Sequence, residues 1–393
     1  MADGGALPAP EWSRFEAAVI NGFRQLRDRY LHSVRGRGKL EDGSDSLEQA
    51  DADSPLVTLP VDMQLYILTF LSPQDLCKLG MTNRYWQSMV QDRLLWKYFL
   101  LRDHPTWSSI DCHSLPNLDV LNSCLCESPD GKECNYMSIY LRSSPKTRRS
   151  LQTKNPIYGA VTSFLQSLVM HGEPRFAMFG PGLEQLDDSL VTRMMTSPDL
   201  LPVVSILQRQ INGIGSGVTF QLNGEHKFNI LTLYSTTRSE RDRARTEQSA
   251  AVNKMFVSEG SVNGEAAAVF SLIPQVKEVC KVVDGFIYVA NAESQKKHNR
   301  EDEVAQIQAM MDPLHGAQRK PLLVLACVSN PGDKRIPCVY LAHELCLNKL
   351  NRTWMVQNTE ACTLSGLLDG IAWIFAELGK KMSCLHQEFV EIH

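Results

Sequence analysis

Arg175 to Val191 reads RFAMFGPGLEQLDDSLV: an apolar run, a turn with two glycines, and a renewed helical pattern. A strand, turn and helix in that order can hold phosphate, because backbone N–H groups of the turn cradle the oxygens. That chemistry asks for G-x-x-x-x-G-K-[ST], whose lysine neutralises charge and whose hydroxyl reaches magnesium. Here Gly180-Pro181-Gly182 runs into Leu183, Glu184 and Gln185, and Pro181 removes a backbone donor. His113, Cys124, Cys126 and Cys134 raise a zinc reading. Their C-x-C spacing differs from the usual C-x₂₋₄-C knuckle and no second pair follows, so ordinary packing with surface thiols is the better account and no metal is expected. The chain has 11 cysteines, several of them, such as Cys280, Cys327 and Cys338, inside apolar runs. Burial raises a thiol pKa and blocks nucleophilic use, and none of the cysteines has a readable histidine and acid partner. Reduced, mostly buried thiols without structural disulfides are the expectation.

The bulk properties exclude several classes. At 393 residues, 43% hydrophobic and 21% charged, the composition is that of a globular protein of two to three domains. Forty basic side chains against 44 acidic give a net charge of -4, which argues against direct nucleic-acid binding. No apolar run reaches the roughly 18 residues of a membrane span, and MADGGALPAPEWSRFEAA lacks a signal core. A protein of the cytoplasm or nucleus, with no membrane partner, is expected.

Along the chain, residues 1–55 hold an amphipathic helix, with Trp12, Phe15, Val19, Phe23 and Leu26 on one face, and then a Gly-, Ser- and acid-rich stretch that should be disordered linker. Residues 56–103 form a dense helical block. Pro60 opens a helix carrying Met63, Leu65, Ile67, Leu68 and Leu71; Ser72-Pro73 restarts a second with Leu76 and Leu79; Thr82 or Asn83 caps a third. So small a unit has little core of its own, and apolar residues beyond one stripe imply a partner or a neighbouring domain. Leu59-Pro60, Ile67-Leu68, Leu71, Ser72-Pro73-x-Asp75-Leu76, Trp86, Asp92 and Leu94-Leu95-Trp96 together closely resemble the F-box. The resemblance implies docking on the S-phase kinase-associated linker protein, which joins F-box proteins to a cullin scaffold and its RING ubiquitin ligase. Its contact set would be Leu59, Pro60, Leu65, Ile67, Leu68, Leu71, Leu76, Trp86, Leu95 and Trp96, although for about half of these a plain core role holds as well. Arg84-Tyr85-Trp86 departs slightly from the family's usual run there.

Residues 104–155 read as a linker of turns and short helices, with KTRRS at 146–150 a solvated basic turn. From 156 to 393 helical and continuous apolar strand patterns alternate: GAVTSFLQSLVMH, RFAMFG, LEQLDDSLVTRMM, GVTFQL, HKFNILTLY, SLIPQVKEVCKVV, DGFIYVANA, EDEVAQIQAMM, PLLVLACVS, VYLAHELCLNKL, TWMVQNTE and a closing helix. That pattern argues for a mostly parallel sheet wrapped by helices, so the whole is a multi-domain protein, all-α unit plus α/β domain. DGFIYVANAES, PLLVLACVSNPGD and WMVQNTEACTLSGLLDGIAWI resemble the fourth, fifth and sixth strands of Ras- and Arf-class small GTPases. The nucleotide motifs of that class are lost. Its D-x-x-G is replaced by Leu233-Tyr234-Ser235-Thr236, its N-K-x-D falls on Cys327-Val328, and Asn330 and Asp333 are turn residues around Pro331-Gly332. No nucleotide or other cofactor is expected.

An F-box joined to a degenerate GTPase-like fold resembles a group of F-box proteins that act as non-catalytic substrate receptors. The resemblance implies capture of a telomeric repeat-binding factor, with D-type cyclins as further substrates, and homodimerisation through the N-terminal helix and the 104–155 region. The segment IPCVYLAHELCLNKL has too many apolar residues for one helical stripe. Either it is deeply buried, or its second face receives substrate at the small side chains Cys338 and Ala342. INGIGSGV, 211–218, is a flexible turn or a binding loop, and TTRSERDRARTEQ, 236–248, a solvated charged face. Two competing functions remain: a GTP-binding regulator with a divergent site, and thiol catalysis on ubiquitin.

Overall fold

The computed structural model describes residues 56, 58–122, 134–153, 172–207, 215–222, 224, 226–236, 254–259, 269–315 and 319–390. The expected helices at 12–26 and 159–171, Cys124, Cys126, the start of the 211–218 loop and most of 236–248 lie outside these residues. Contacts divide the chain into two compact units, one drawn from 1–104 and 116–143, the other from 105–115 and 144–393.

The first unit is helical: α1 Val61–Leu68, α2 Pro73–Gly80, α3 Arg84–Val90, α4 Arg93–Asp103, α5 Leu118–Asn122 and α6 Tyr136–Ser143. Its boundaries are set by side chains that satisfy the unpaired first-turn amides. Ser72 Oγ accepts from Asp75 N, Asn83 Oδ1 from Trp86 N at 2.8 Å, and Asp92 Oδ1 from Leu94 N at 2.8 Å. Of the two caps expected for α3, Asn83 is therefore the one used. Leu65, Leu68, Leu76, Trp86, Leu95, Trp96 and Phe99 fill the interior, and the Trp96 indole N–H donates to the Val90 carbonyl at 2.6 Å. Lys97 is buried with its ammonium 5.4 Å from the Tyr136 ring centroid, a cation–π contact that offsets its desolvation. Tyr140 donates to Asp103 at 2.7 Å and so fastens α6 to α4.

The second unit is α/β. Its strands are β1 Ser109–Asp111, β2 Arg175–Phe179, β3 Val203–Ile206, β4 Gly215–Leu222, β5 His226–Leu233, β6 Phe256–Glu259, β7 Val269–Leu272, β8 Gly285–Asn291, β9 Leu322–Val328 and β10 Trp354–Glu360. Its helices are α7 Pro145–Thr153, α8 Gly182–Gln185, α9 Leu190–Met195, α10 Pro274–Val282, α11 Arg300–Met310, α12 Cys338–Glu344 and α13 Leu367–Val390. The main sheet runs β1-β10-β9-β8-β2-β5-β4-β3, while β6 and β7 form a separate hairpin. The five strands from β10 to β5 are mutually parallel; at one edge β1 pairs antiparallel with β10, and at the other β4 pairs antiparallel with β5 and β3 antiparallel with β4. Every residue of β8 and β9 is buried, as continuous apolar strands covered on both faces must be. Phe176 and Met178 of β2 share a core with Ile371 and Ile374 of α13. Near α11, the Tyr288 hydroxyl donates to Glu303 at 2.7 Å, and Arg300 grips the same carboxylate at 2.9 Å.

Four local expectations are corrected. The 104–155 stretch, read as linker, supplies β1, which pairs Ser109 to Gln357 and Asp111 to Met355; a three-residue strand leaves no alternation to detect. The basic turn at 146–150 is part of α7, started by Pro145 at its first turn. Arg148 there pairs with Asp111 and donates to the Ser109 carbonyl at 2.9 Å, so its charge clamps β1 instead of facing water, although Lys146 and Arg149 are exposed. The single helix expected over 183–195 breaks after Gln185, because Leu186 is extended and buried and Ser189 caps a new helix. The helix expected from 271 begins at Pro274, its preceding residues forming β7.

Candidate functional site

In the helical unit the most unusual surface is an apolar stripe. Leu59, Met63, Tyr66 and Phe70 recur at spacings of four, three and four, the repeat of one helical face, and all four are exposed. Phe70 is 73% exposed and meets Tyr66 edge to face at 5.1 Å, and Met81 beyond α2 is 85% exposed. Gln64 holds the base of the stripe, donating to the Leu59 carbonyl at 2.9 Å and accepting from the Tyr85 hydroxyl. Of the ten residues expected to grip a partner, Leu59 and Pro60 are exposed and Ile67 and Leu71 half-buried. Leu65, Leu68, Leu76, Trp86, Leu95 and Trp96 lie in the core and support the surface from beneath. Met63, Tyr66, Phe70 and Met81 were missed. The signal available was the 59, 63, 66, 70 spacing, hidden because Leu65 and Leu68 set up a second, buried stripe on the same helix.

In the α/β unit the carboxyl ends of β2, β8 and β9 are where an open parallel sheet would take a ligand. The glycines of the loop after β2 serve packing. Gly180 has φ +124 and a Cβ there would fall 2.6 Å from the Val289 carbonyl oxygen; at Gly182 it would fall 2.7 Å from Val289 Cγ1. The loop therefore lies directly on β8, closer than any side chain permits. Its amides are used internally: Leu183 N donates to Gly180 O, and Glu184 N and Gln185 N to Pro181 O. The Glu184 carboxylate turns onto Ser235 and Thr236 at the end of β5. Thr236, expected on a solvated face, is buried by this contact.

A second polar group ties the same loop to β8 and β9. Lys296 Nζ donates to the Gln185 carbonyl at 3.0 Å and pairs with Asp187 at 3.2 Å and Glu293 at 2.9 Å. Glu293 is buried and accepts from Ser329 N at 2.9 Å and Ser329 Oγ at 2.5 Å. Burial by itself would raise the Glu293 pKa, but the hydrogen bonds from Ser329 and Lys296 outweigh it and hold the carboxyl below its ordinary range. For Lys296 desolvation pulls the other way, and the Glu293 and Asp187 carboxylates leave its pKa raised. Asn330 and Asp333 close a turn on each other, Asn330 N donating to Asp333 Oδ2 at 2.7 Å beside Gly332 at φ +90. Donors and charges at this edge are thus spent on one another.

The nominated substrate pair is not at the surface. Cys338 and Ala342 have no exposure, along with Val339 and Leu341 on the same helix. One face of α12 packs on β10, and its second face is covered by the chain's own 107–111 segment: Cys338 Sγ–H donates to the Trp107 carbonyl at 3.3 Å. The helix stops at Leu345 because Cys346 turns left-handed at φ 50. Burial pushes the Cys338 and Cys327 thiols up to about 12 and Cys280 to about 11, far from a reactive thiolate near neutral pH. Among the described residues, the exposed large apolar side chains of this unit include Val204, Ile206 and Leu207 in and just after β3, Met195 and Leu200 before it, and Val257, Val282 and Leu314 elsewhere. LLPVVSIL, residues 200–207, is mostly apolar, and the edge position of β3 in the sheet leaves Val204 and Ile206 exposed.

Residues 56–102 match the F-box-like family. Over 380 residues, 96% of this chain and 97% of the relative, the chain is 53% identical to F-box only protein 4 of Bos taurus. It is 53% identical to F-box only protein 4 of Homo sapiens over 374 residues, 95% of each, and 52% identical to that of Mus musculus over 378 residues, 96% and 97%.

Proposed function

The chain belongs to the F-box only protein 4 family, and from that premise we propose that it is the substrate-recognition subunit of a cullin-RING ubiquitin ligase of the SCF type. The F-box implies binding of the S-phase kinase-associated linker protein and, through it, the cullin. The observation that carries the reading is the Leu59, Met63, Tyr66, Phe70 stripe with Met81, an apolar surface resting on a packed helical core inside the matched segment. Exposed apolar area of this regularity in a small unit is what a partner covers. The protein supplies proximity: it holds a client near a conjugating enzyme that carries the reactive thioester. The depressed reactivity of the buried thiols supports a non-catalytic role.

The α/β unit is the client-binding module in this proposal, taking a telomeric repeat-binding factor and D-type cyclins, in the cytoplasm and nucleus. The parallel run β8, β9, β10, whose strands read as the fourth, fifth and sixth of a small GTPase, supports a GTPase-like ancestry. The self-bonded loop at 180–185 speaks against a surviving nucleotide site. With Cys338 and Ala342 enclosed, the client face is assigned to the exposed apolar edge at Val204 and Ile206. Self-association through 12–26 belongs to the same proposal. The test is affinity capture from cells with wild-type chain, a Tyr66→Asp/Phe70→Asp variant and a Val204→Asp/Ile206→Asp variant. The first pair should lose linker protein and cullin and keep clients; the second should do the reverse. Capture of cullin by the first variant at wild-type level sinks the assignment.

A further inference from the structure

One carboxylate in the α/β unit receives an unusual set of donors. Glu184 Oε1 accepts from Ser235 N at 2.6 Å, Ser235 Oγ at 2.8 Å and Thr236 N at 3.2 Å; Glu184 Oε2 accepts from Ser235 Oγ at 2.8 Å and Thr236 Oγ1 at 3.0 Å. Two consecutive amides and two hydroxyls converging on one oxyanion are the arrangement by which backbone concavities bind carboxylate and phosphate. We propose that Ser235 and Thr236 form an oxyanion site, occupied from within the chain by the Glu184 side chain, which can bind a small carboxylate or inorganic phosphate once that side chain is removed.

The donors are held independently of their occupant. Lys254 N donates to the Ser235 carbonyl at 2.7 Å, and the preceding residues Thr232 and Leu233 are fixed in β5 against Ser216 and Gly215. The occupant is held equally firmly from its own side, since the next residue's carbonyl, Gln185 O, accepts from Lys296 and its amide is bonded to Pro181. Removing the carboxylate therefore leaves a preorganised, half-buried set of donors facing the space it filled. Such a set recovers little hydrogen bonding by collapse and gains most from a small anion. In the intact chain the same contact acts as a latch between the loop after β2 and the end of β5, from which the segment 237–253 departs.

The experiment uses the full chain carrying Glu184→Ala, melted in sodium chloride, sodium formate or sodium phosphate at matched ionic strength, with amide hydrogen exchange read at Ser235 and Thr236. Without an added oxyanion both amides should exchange on the order of tenfold or more faster than in wild type, as expected for lost charge-assisted hydrogen bonds. Formate or phosphate should raise the melting temperature of the variant saturably and restore protection, chloride should not, and wild type should respond to none of them. Recovery with phosphate alone would assign the site to tetrahedral anions, and recovery with both to oxyanions in general. Equal response of wild type and variant, or no response beyond chloride, overturns the proposal. Should Glu184→Ala not accumulate in folded form, Glu184→Gln keeps the shape but turns an amide toward donors; unchanged protection at 235 and 236 in that variant also overturns it.

Discussion

Phe70→Ala separates the adaptor surface from the core that supports it. A phenylalanine side chain offers about 200 Å², and Phe70 leaves 73% of itself in water, so about 150 Å² is available for a partner to cover. At roughly 25 cal/mol per Å² the ceiling is about 3.7 kcal/mol. Incomplete coverage brings the expected loss to about 1–3 kcal/mol, or about 5- to 150-fold in affinity for the linker protein. Because the ring touches little of its own fold besides the edge of Tyr66, folding stability should change by no more than about 0.5 kcal/mol. Leu68→Ala makes the opposite pattern. Leu68 is 1% exposed, and emptying its place should cost about 2–5 kcal/mol of stability. Titration calorimetry of purified linker protein against each full-length variant, with urea unfolding beside it, reads both quantities. Wild-type affinity for Phe70→Ala, or weaker binding that tracks a lowered unfolding midpoint, would refute the division into surface stripe and buried support.

Three further outcomes follow from the α/β unit. Ala342→Arg puts a guanidinium at a position with no exposure beneath β1; a cost of about 3 kcal/mol or more is expected, seen as a lowered melting temperature and poor soluble yield, and a normally melting variant that loses only client binding would contradict the burial. Gly182→Ala places a Cβ 2.7 Å from Val289 Cγ1 and 2.9 Å from the Val289 carbonyl oxygen; about 1–3 kcal/mol should be lost to overpacking, while labelled guanosine triphosphate with magnesium should show no saturable binding to either protein. Glu293 has its folded-state pKa held below the ordinary value of 4.5; its contribution is therefore complete above that value and drains as pH falls through the lower folded one. Glu293→Gln should accordingly be less stable than wild type at neutral pH and show a flatter loss of stability between about pH 5 and pH 3, whereas parallel acid limbs in urea titrations would remove that carboxylate from the account.

Much of this was legible along the chain because it rests on local chemistry. Ser72 and Asn83 announce helix starts by capping, Pro73 sits in a first helical turn, and β8 and β9 declare themselves as doubly buried through unbroken apolar runs. The residue types that a nucleotide site asks for are likewise missing at 183–185 and 233–236 in the sequence alone. Partitioning between inside and outside was not legible. Leu68 and Phe70 are both large apolar residues two positions apart, and only the packing of the end of α1 and the turn after it buries one and exposes the other. The same limit misplaced Cys338 and Ala342: the cover over α12 comes from Trp107 to Asp111, more than 200 residues earlier in the chain by the Cys338–Trp107 separation of 231.

Local sequence, then, determined most of the helices and the central strands and where several of them begin, because caps, prolines and hydrophobic period act over a few residues. Tertiary structure alone decided which apolar face meets water, that a three-residue strand from the presumed linker closes one edge of the sheet, and that Glu184 and Lys296 turn inward to satisfy the strand ends. Those outcomes depend on which distant segments come to lie against each other, and burial and hydrogen-bond pairing are properties of that juxtaposition.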